Sequence, residues 1–360
     1  MRKSQQPSAS PSRPAAGAGQ SHSALDHHTR RFRDATMAYI GVLGVLGVLI
    51  VIFSLLQSSF LTATNFLDIA QNNAPLLILS VGLTFTLLVG GFDLSIGGTL
   101  GLSAIVVAML LQDGVGTIWV LIIAVVGAML IGYLINGFLI ARLDLNFFVV
   151  TLGVMLATRG IALLLTNGES LGLYDKKVIG KIGTGTIGGS KVGYLVLIAL
   201  GIWTAATLVT RYTGFGRMIY AVGGNSEAAR LAGINVVAIR MAAYGISAGL
   251  AGLGGFLAAG QYKSATPTVY SGIELTAAAA VLIGGTSFIG GVGTMFGTLL
   301  GVAFLGILQN GTIISSINQY WYNVITGGVL VLSVLIDRFR QYLKLKGGLR
   351  RYLAGRVSRA

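Results

Sequence analysis

Three ionisable residues stand in or beside long apolar stretches of this sequence: Asp93, Arg159 and Glu274. A charge at the middle of a membrane span costs roughly 2.5–3.5 kcal/mol to insert, so each must face protein or water and find a partner. Asp93 precedes Leu94-Ser95-Ile96 and is placed to cap the next helix by accepting backbone N–H bonds. Arg159 and Glu274 are expected near the outer surface, where their heads reach water. The three histidines, His22, His27 and His28, lie near the N-terminus, which leaves the apolar body without the usual general base. Cysteine is absent, so thiolate metal sites are excluded. Gly245-Ile246-Ser247-Ala248-Gly249 has the form of a nucleophile elbow but sits inside an apolar span with no base. Gly183-Thr184-Gly185-Thr186-Ile187-Gly188 matches a phosphate loop without the strand and helix that such a loop needs, and the chain has no G-x-x-x-x-G-K-[ST]. Enzymatic chemistry and ATP binding by this chain are therefore not expected, and neither is a cofactor. Asp93, Ser95, Arg159, Glu274, Thr286 and Ser287 remain as residues that line a pathway or brace it.

The elements that must hold these residues are transmembrane helices. Of 360 residues, 54% are hydrophobic, 10% are charged and 53 are glycine, a composition whose surface belongs in a bilayer rather than in water. The fold class expected is an all-α membrane protein, a polytopic bundle of about ten transmembrane helices with broken, glycine-rich segments. Residues 1–36, rich in Ser, Pro, Ala and Gly, read as a disordered basic tail. Residues 37–340 form the membrane domain and 341–360 a second basic tail. Runs of the roughly 20 residues that a span requires begin at 37–56 and continue at 75–92, 94–112, 117–140, 147–166, 193–210, 241–260, 273–289, 291–310 and 319–336. The net charge of +14 lies in tails and loops, with no basic face for nucleic acid. It reads instead as topology. With the N-terminus inside, nineteen basic residues fall on the cytoplasmic side, and five, Lys176, Lys177, Lys181, Lys191 and Lys263, fall outside. Both termini are then cytoplasmic. The rings of Tyr320, Trp321 and Tyr322 suit an interfacial belt at the outer end of the last span.

Two kinds of interruption organise the chain. Gly90-Gly91-Phe92-Asp93 and Gly284-Gly285-Thr286-Ser287 break apolar runs without providing a true loop. Such pairs arise in transport pathways built from broken helices and in close packing of small residues between helices. The second kind is the polar loop 211–240, whose centre reads as a short docking helix. Asn225 or Ser226 is its N-cap, Glu227 lies in its first turn and Gly233 is its stop. Gly224, Ala228, Ala229, Arg230 and Leu231 complete the segment, with Leu231 and the alanines supplying an apolar face. A helix this short is marginal alone in water, so other protein must hold it.

These same residues carry a family resemblance. The segment Gly224 to Asn235 resembles the cytoplasmic coupling segment of permease subunits of ribose- and xylose-type sugar ABC importers. Gly90 to Gly97 resembles that family's Gly-Gly-x-Asp-Leu-Ser-x-Gly signature, and Gly284 to Gly293 its Gly-Gly-Thr-Ser-x-x-Gly-Gly-x-Gly segment. Thr151 to Gly160 and Tyr270 to Leu275 also fit, so the likeness runs from about 37 to 340. The resemblance implies an inner-membrane subunit with the ABC ATPase subunit docked on 211–240, ATP bound by that partner, and a monosaccharide delivered by a periplasmic sugar-binding protein. It also implies a second permease copy, in a homodimer or a heterodimer. Permeases for branched-chain amino acids or nucleosides are a neighbouring reading. A self-contained secondary transporter or channel is the reading from another class, and it would need more in-membrane ionisable groups than this chain has.

The absence of native cysteine makes orientation directly testable. Single cysteines in 167–192 are expected to react with a membrane-impermeant thiol reagent in intact cells and those in 211–236 are not; the reverse pattern would invert the topology.

Overall fold

The computed structural model of the chain describes residues 39–188, 191–268 and 270–357. The tail 1–36, with its histidines, lies outside the described residues. Two units separate, Met1–Gly41 and Val42–Ala360, and the second holds the bundle.

The bundle is helical, with one two-stranded pairing. Its long apolar helices are α1 (Tyr39–Leu56), α2 (Ala63–Leu88), α3 (Ser95–Gln112), α4 (Thr117–Leu130), α5 (Phe147–Thr166), α7 (Tyr194–Tyr212), α10 (Val236–Tyr262) and α12 (Met295–Ile314). α4 continues without a break through a π-helical stretch, Ile131–Arg142. By length and composition eight helices can cross a membrane among the described residues, and two shorter apolar ones are α11 (Ile273–Ile283) and the first part of α13 (Tyr320–Val357). α6 (Lys177–Thr184), α8 (Gly214–Gly224) and α9 (Ser226–Leu231) lie in the connections, and β1 (Leu171–Gly172) pairs antiparallel with β2 (Ser264–Ala265). Side-chain caps start the helices where the sequence offers them. Thr62 accepts from Asn65 N, Asn235 from Ala238 N and Thr294 from Gly297 N.

α10 is the hub, packing on α2, α3, α4 and the π-helical stretch. Small residues permit these approaches: a Cβ at Gly255 would stand 2.5 Å from the Leu100 carbonyl of α3. Outside this core, apolar side chains such as Leu55 (83% exposed) and Leu164 (79%) face outward, as lipid contact requires.

Several boundaries differ from the sequence reading. α2 begins at Ala63 rather than 75, because Asn65, Asn72 and Asn73, which depress hydropathy, belong to the span and face protein or a cavity. Pro75 lies within that helix rather than opening it. α11 stops at Ile283, and the expected continuation to 289 is a turn-rich segment. α13 runs well past 336, to Val357.

The two glycine breaks are not separate features. Gly90 and Gly290 have φ of +77° and +105°, and a Cβ on Gly290 would lie 2.7 Å from Gly90 Cα. Gly291 N donates to Leu88 O at 2.9 Å, and a Cβ on Gly291 would lie 2.6 Å from Gly224 Cα. Three backbones thus cross in direct contact: the end of α2, the turn after α11 and the end of α8. This is the close packing of small residues that the glycine breaks allow. Beside the crossing the Phe288 ring meets Phe92 at a tilt and Phe147 edge-on, with centroids 5.4 and 6.3 Å apart.

Candidate functional site

At the end of the bundle that carries β1 and β2, a cavity of about 440 Å³ opens between α2, α11, α12 and α13. Six amides line it: Asn72, Asn73, Gln309, Asn310, Gln319 and Asn323. The rings of Tyr262, Tyr270 and Tyr322 and the hydroxyls of Ser271 and Thr276 complete the polar wall, and none of the described lining residues is charged. The volume falls in the range of about 300–1,000 Å³ typical of small-molecule sites. An amide donates and accepts at once, so this wall matches a neutral ligand dense in hydroxyls. Part of the wall is fixed from behind. Asn73 Nδ2 donates to Ile69 O at 2.9 Å, and Asn310 Nδ2 to Asn65 Oδ1 at 3.0 Å, while Asn65 Nδ2 donates to Phe60 O at 3.0 Å. That relay ties α12 to the start of α2 behind the cavity wall.

Next to this wall, Arg159 and Glu274 find each other. Arg159 Nη2 donates to both carboxylate oxygens, at 3.0 and 3.2 Å, from α5 to the first turn of α11. Glu274 is 5% exposed, so its carboxylate does not reach water as expected. Only the arginine retains partial access, with 25% of its side chain exposed. α3 passes beneath the pair at Gly97, where a Cβ would overlap Glu274 Oε2. Ile273 and Thr276, flanking Glu274 on α11, both line the cavity, so the ion pair fixes the wall from its far side.

Asp93 bonds the first residue of α3, although the N-cap position of that helix is Leu94, which makes no side-chain cap bond. Asp93 is 1% exposed, and its Oδ1 accepts from Ser95 N at 3.0 Å and Ser95 Oγ at 2.5 Å. Asn136 of the π-helical stretch donates to Ser95 Oγ at 2.8 Å, so the start of α3 is moored to its neighbour. Thr286 is buried and Ser287 bonds within its own turn, its N donating to Val292 O at 2.8 Å. Asp93, Ser95, Thr286 and Ser287 therefore lie away from the amide cavity, and none of them lines it.

The docking segment folds as its signals specify. Asn225 Oδ1 accepts from Ala228 N at 3.0 Å, opening α9. At its close Gly233 has φ +82°, Gly233 N donates to Arg230 O and Ile234 N donates to Ala229 O, both at 3.0 Å, which is a Schellman ending. Glu227 and Arg230 pair at 2.7 Å on the exposed face, and hydrogen bonding to Arg230 holds the Glu227 carboxyl below its ordinary range. One residue departs from expectation: Ala229 is 5% exposed and packs on its own chain, whereas Leu231 stands 80% exposed. The exposed apolar side chain of α9 is therefore Leu231, and Ala229 packs inward.

The family model described as the branched-chain amino acid transport system / permease component matches residues 65–334. The chain belongs to this permease family. The ribose import permease protein RbsC of Escherichia coli is 36% identical over 298 residues, covering 81% of this chain and 91% of that one. RbsC of Bacillus subtilis is 35% identical over 306 residues, 85% of this chain and 94% of that one. The galactose/methyl galactoside import permease protein MglC of Salmonella typhimurium is 32% identical over 312 residues, covering 81% and 90%. No solved structure matches the chain.

Within this permease the amide wall is what sequence reading missed. Its signal was present as paired amides, Asn72-Asn73, Gln309-Asn310 and Gln319 with Asn323, each at the edge of an apolar run. Tyr322, expected with Tyr320 and Trp321 in an outward belt, is 9% exposed and turns inward, while Tyr320 and Trp321 are exposed at 76% and 57%. For the ion pair, removing one partner of a buried pair strands the other charge, which typically costs about 3 kcal/mol. Glu274→Ala is expected to lower the thermal stability of the purified permease accordingly, and Arg159→Met with Glu274→Leu to recover most of the loss. Equal melting temperatures for wild type and Glu274→Ala would show that the pair carries no structural load.

Proposed function

We propose that the chain is the membrane-spanning subunit of an ATP-driven ABC importer and that it provides the path for a monosaccharide. The relatives named as ribose and galactose import permeases support the sugar, and one named as a probable ABC transporter permease, 36% identical over 275 residues, supports the transporter class. The observation that carries the reading is the uncharged, amide- and tyrosine-lined cavity. A branched-chain amino acid would bring a carboxylate and an ammonium into it, and buried charges without partners are costly. A pentose or hexose brings only hydroxyls, which six amides can meet as donors and acceptors.

The remaining parts take their places around that path. In this reading the cavity end faces outward and receives sugar from a periplasmic sugar-binding protein, and both termini are cytoplasmic in an inner membrane. The segment Gly224–Gly233 engages an ABC ATPase subunit that binds the ATP, with Leu231 as the apolar contact. A second permease copy completes the pathway. Asp93, Ser95, Thr286 and Ser287 act as braces that connect the docking segment to the helices, and Arg159 and Glu274 hold the cavity wall.

Uptake of radiolabelled ribose and galactose by cells carrying the complete importer tests both ends. A net hydrogen bond contributes about 1 kcal/mol, or roughly a fivefold change in affinity. Asn72→Ala and Asn323→Ala should each raise the concentration for half-maximal uptake by about that factor, with membrane abundance unchanged. Leu231→Glu should instead lower the maximal rate and the recovery of the ATPase subunit on purification, leaving half-saturation alone. Unaltered uptake in both amide variants would remove the cavity from the transport path.

A further inference from the structure

Around the turn between α2 and α3, four buried side-chain oxygens have no hydrogen-bond partner among the described residues: Asp93 Oδ2, Asn136 Oδ1, Tyr244 Oη and Ser247 Oγ. The elements that carry them are locked together. Tyr244 and Ser247 are three apart on α10 and so share a face. A Cβ on Gly91 of the turn would overlap the Tyr244 hydroxyl, and one on Gly82 of α2 would stand 3.1 Å from Ser247 Cα. On the π-helical stretch, a Cβ on Gly132, four residues before Asn136, would overlap the Tyr244 carbonyl. Asn136 Nδ2 is committed to Ser95 Oγ at 2.8 Å and Asp93 Oδ1 at 3.5 Å, so the amide oxygen is the atom left over. Ser247 faces the carboxylate and Tyr244 lies near enough to feel its charge, yet neither hydroxyl makes a hydrogen bond of ordinary geometry.

Two requirements select what meets these oxygens. The first is charge. None of the ion pairs among the described residues includes Asp93, and the side chains around it, Ser95, Asn136, Tyr244 and Ser247, are neutral. A buried carboxylate without a counter-charge is strongly unfavourable. The second is number. One proton satisfies Oδ2 and a single neighbour, and a water molecule bonds several oxygens but brings no charge. A cation meets all of them at once through their lone pairs. One carboxylate balances one positive charge, and among the described residues no three acidic, histidine or cysteine side chains gather as a polyvalent metal would favour. The main chain fits the same occupant. Gly91, Phe92 and Asp93 form a non-helical stretch between two spans, the setting in which small cations are held between broken helices.

We infer that Asp93, Asn136, Tyr244 and Ser247 form a binding site for one monovalent cation, which ties the foot of α3 to α10 and the π-helical stretch whatever solute the chain carries. The test uses the purified full chain in lipid nanodiscs. Choline chloride is replaced stepwise by sodium chloride at constant ionic strength, so that screening is unchanged. Sodium should raise the melting temperature along a saturable curve, and radioactive sodium should be retained at about one ion per chain and displaced by unlabelled sodium but not by choline. Tyr244→Phe and Ser247→Ala, which each remove only a hydroxyl, should raise the sodium concentration for half the effect roughly tenfold. Asp93→Asn should abolish both retention and thermal response, and the two hydroxyl variants decide the matter if it does not fold. Equal melting temperatures in sodium and choline, with no ion retained, would overturn the site. If stability then falls with rising pH in the wild type but not in Asp93→Asn, a proton meets the carboxyl; if pH has no effect, ordered water does, and either result excludes the cation. A sodium response that all three variants keep in full is a salt effect from elsewhere in the molecule and equally overturns the site.

Discussion

In a bilayer core no water is available to a polar group, so every amide, hydroxyl and charge must be met from inside the bundle or gathered around a cavity. The rest of this structure depends on that constraint. It explains why Asp93 Oδ1 is bonded to Ser95, with Asn136 bonded to Ser95 in turn, and why Arg159 and Glu274 reach across α3 to each other. The same constraint sorts the polar residues by purpose. Those with partners in neighbouring helices hold helices together, and those gathered around open space make that space polar. The amide cavity is the place where polar side chains outnumber what packing alone needs.

Much of this was legible in sequence where the signal is local. The cap at Asn225 and the stop at Gly233 are set by a side chain within reach of the backbone and by a residue tolerant of positive φ, and both occur as read. Asp93 as a brace for the next helix was equally local. Hydropathy failed where a span has two sides. The amides at 72 and 73 lower the average across α2 although the helix continues through them, so the reading stopped at the very residues that matter most. Pairings distant in the chain had no local signature. Nothing in either segment announces that Arg159 will meet Glu274 across 115 positions, or that Gly90, Gly224 and Gly291 will share one crossing. The inward side of a six-residue helix is also invisible until it is packed, and for that reason Ala229 turns inward although it was expected beside Leu231 on the outer face.

The two ends of the bundle are built on different principles. The cavity end relies on long polar side chains and an ion pair, which can adjust by rotamer, beside one pair of short strands. The other end relies on glycine, where Leu88 O, Gly90, Gly223, Gly224 and Gly291 stack main chain on main chain. α8 and α9 are continuous with that stack, and α9 is closed by its own cap on one side and its Schellman ending on the other.

A joint made of bare main chain has almost no slack. Side chains between two helices act as a cushion, since they can rotate and let one helix shift before its neighbour responds. At the crossing there is no cushion, because Gly223 already lies against the Leu88 carbonyl and Gly291 N is bonded to that same oxygen. A displacement of α8 therefore has no side chain to absorb it before it meets the end of α2. The glycines make this joint a rigid linkage, so force applied at the loop is passed on as motion rather than absorbed as rearrangement.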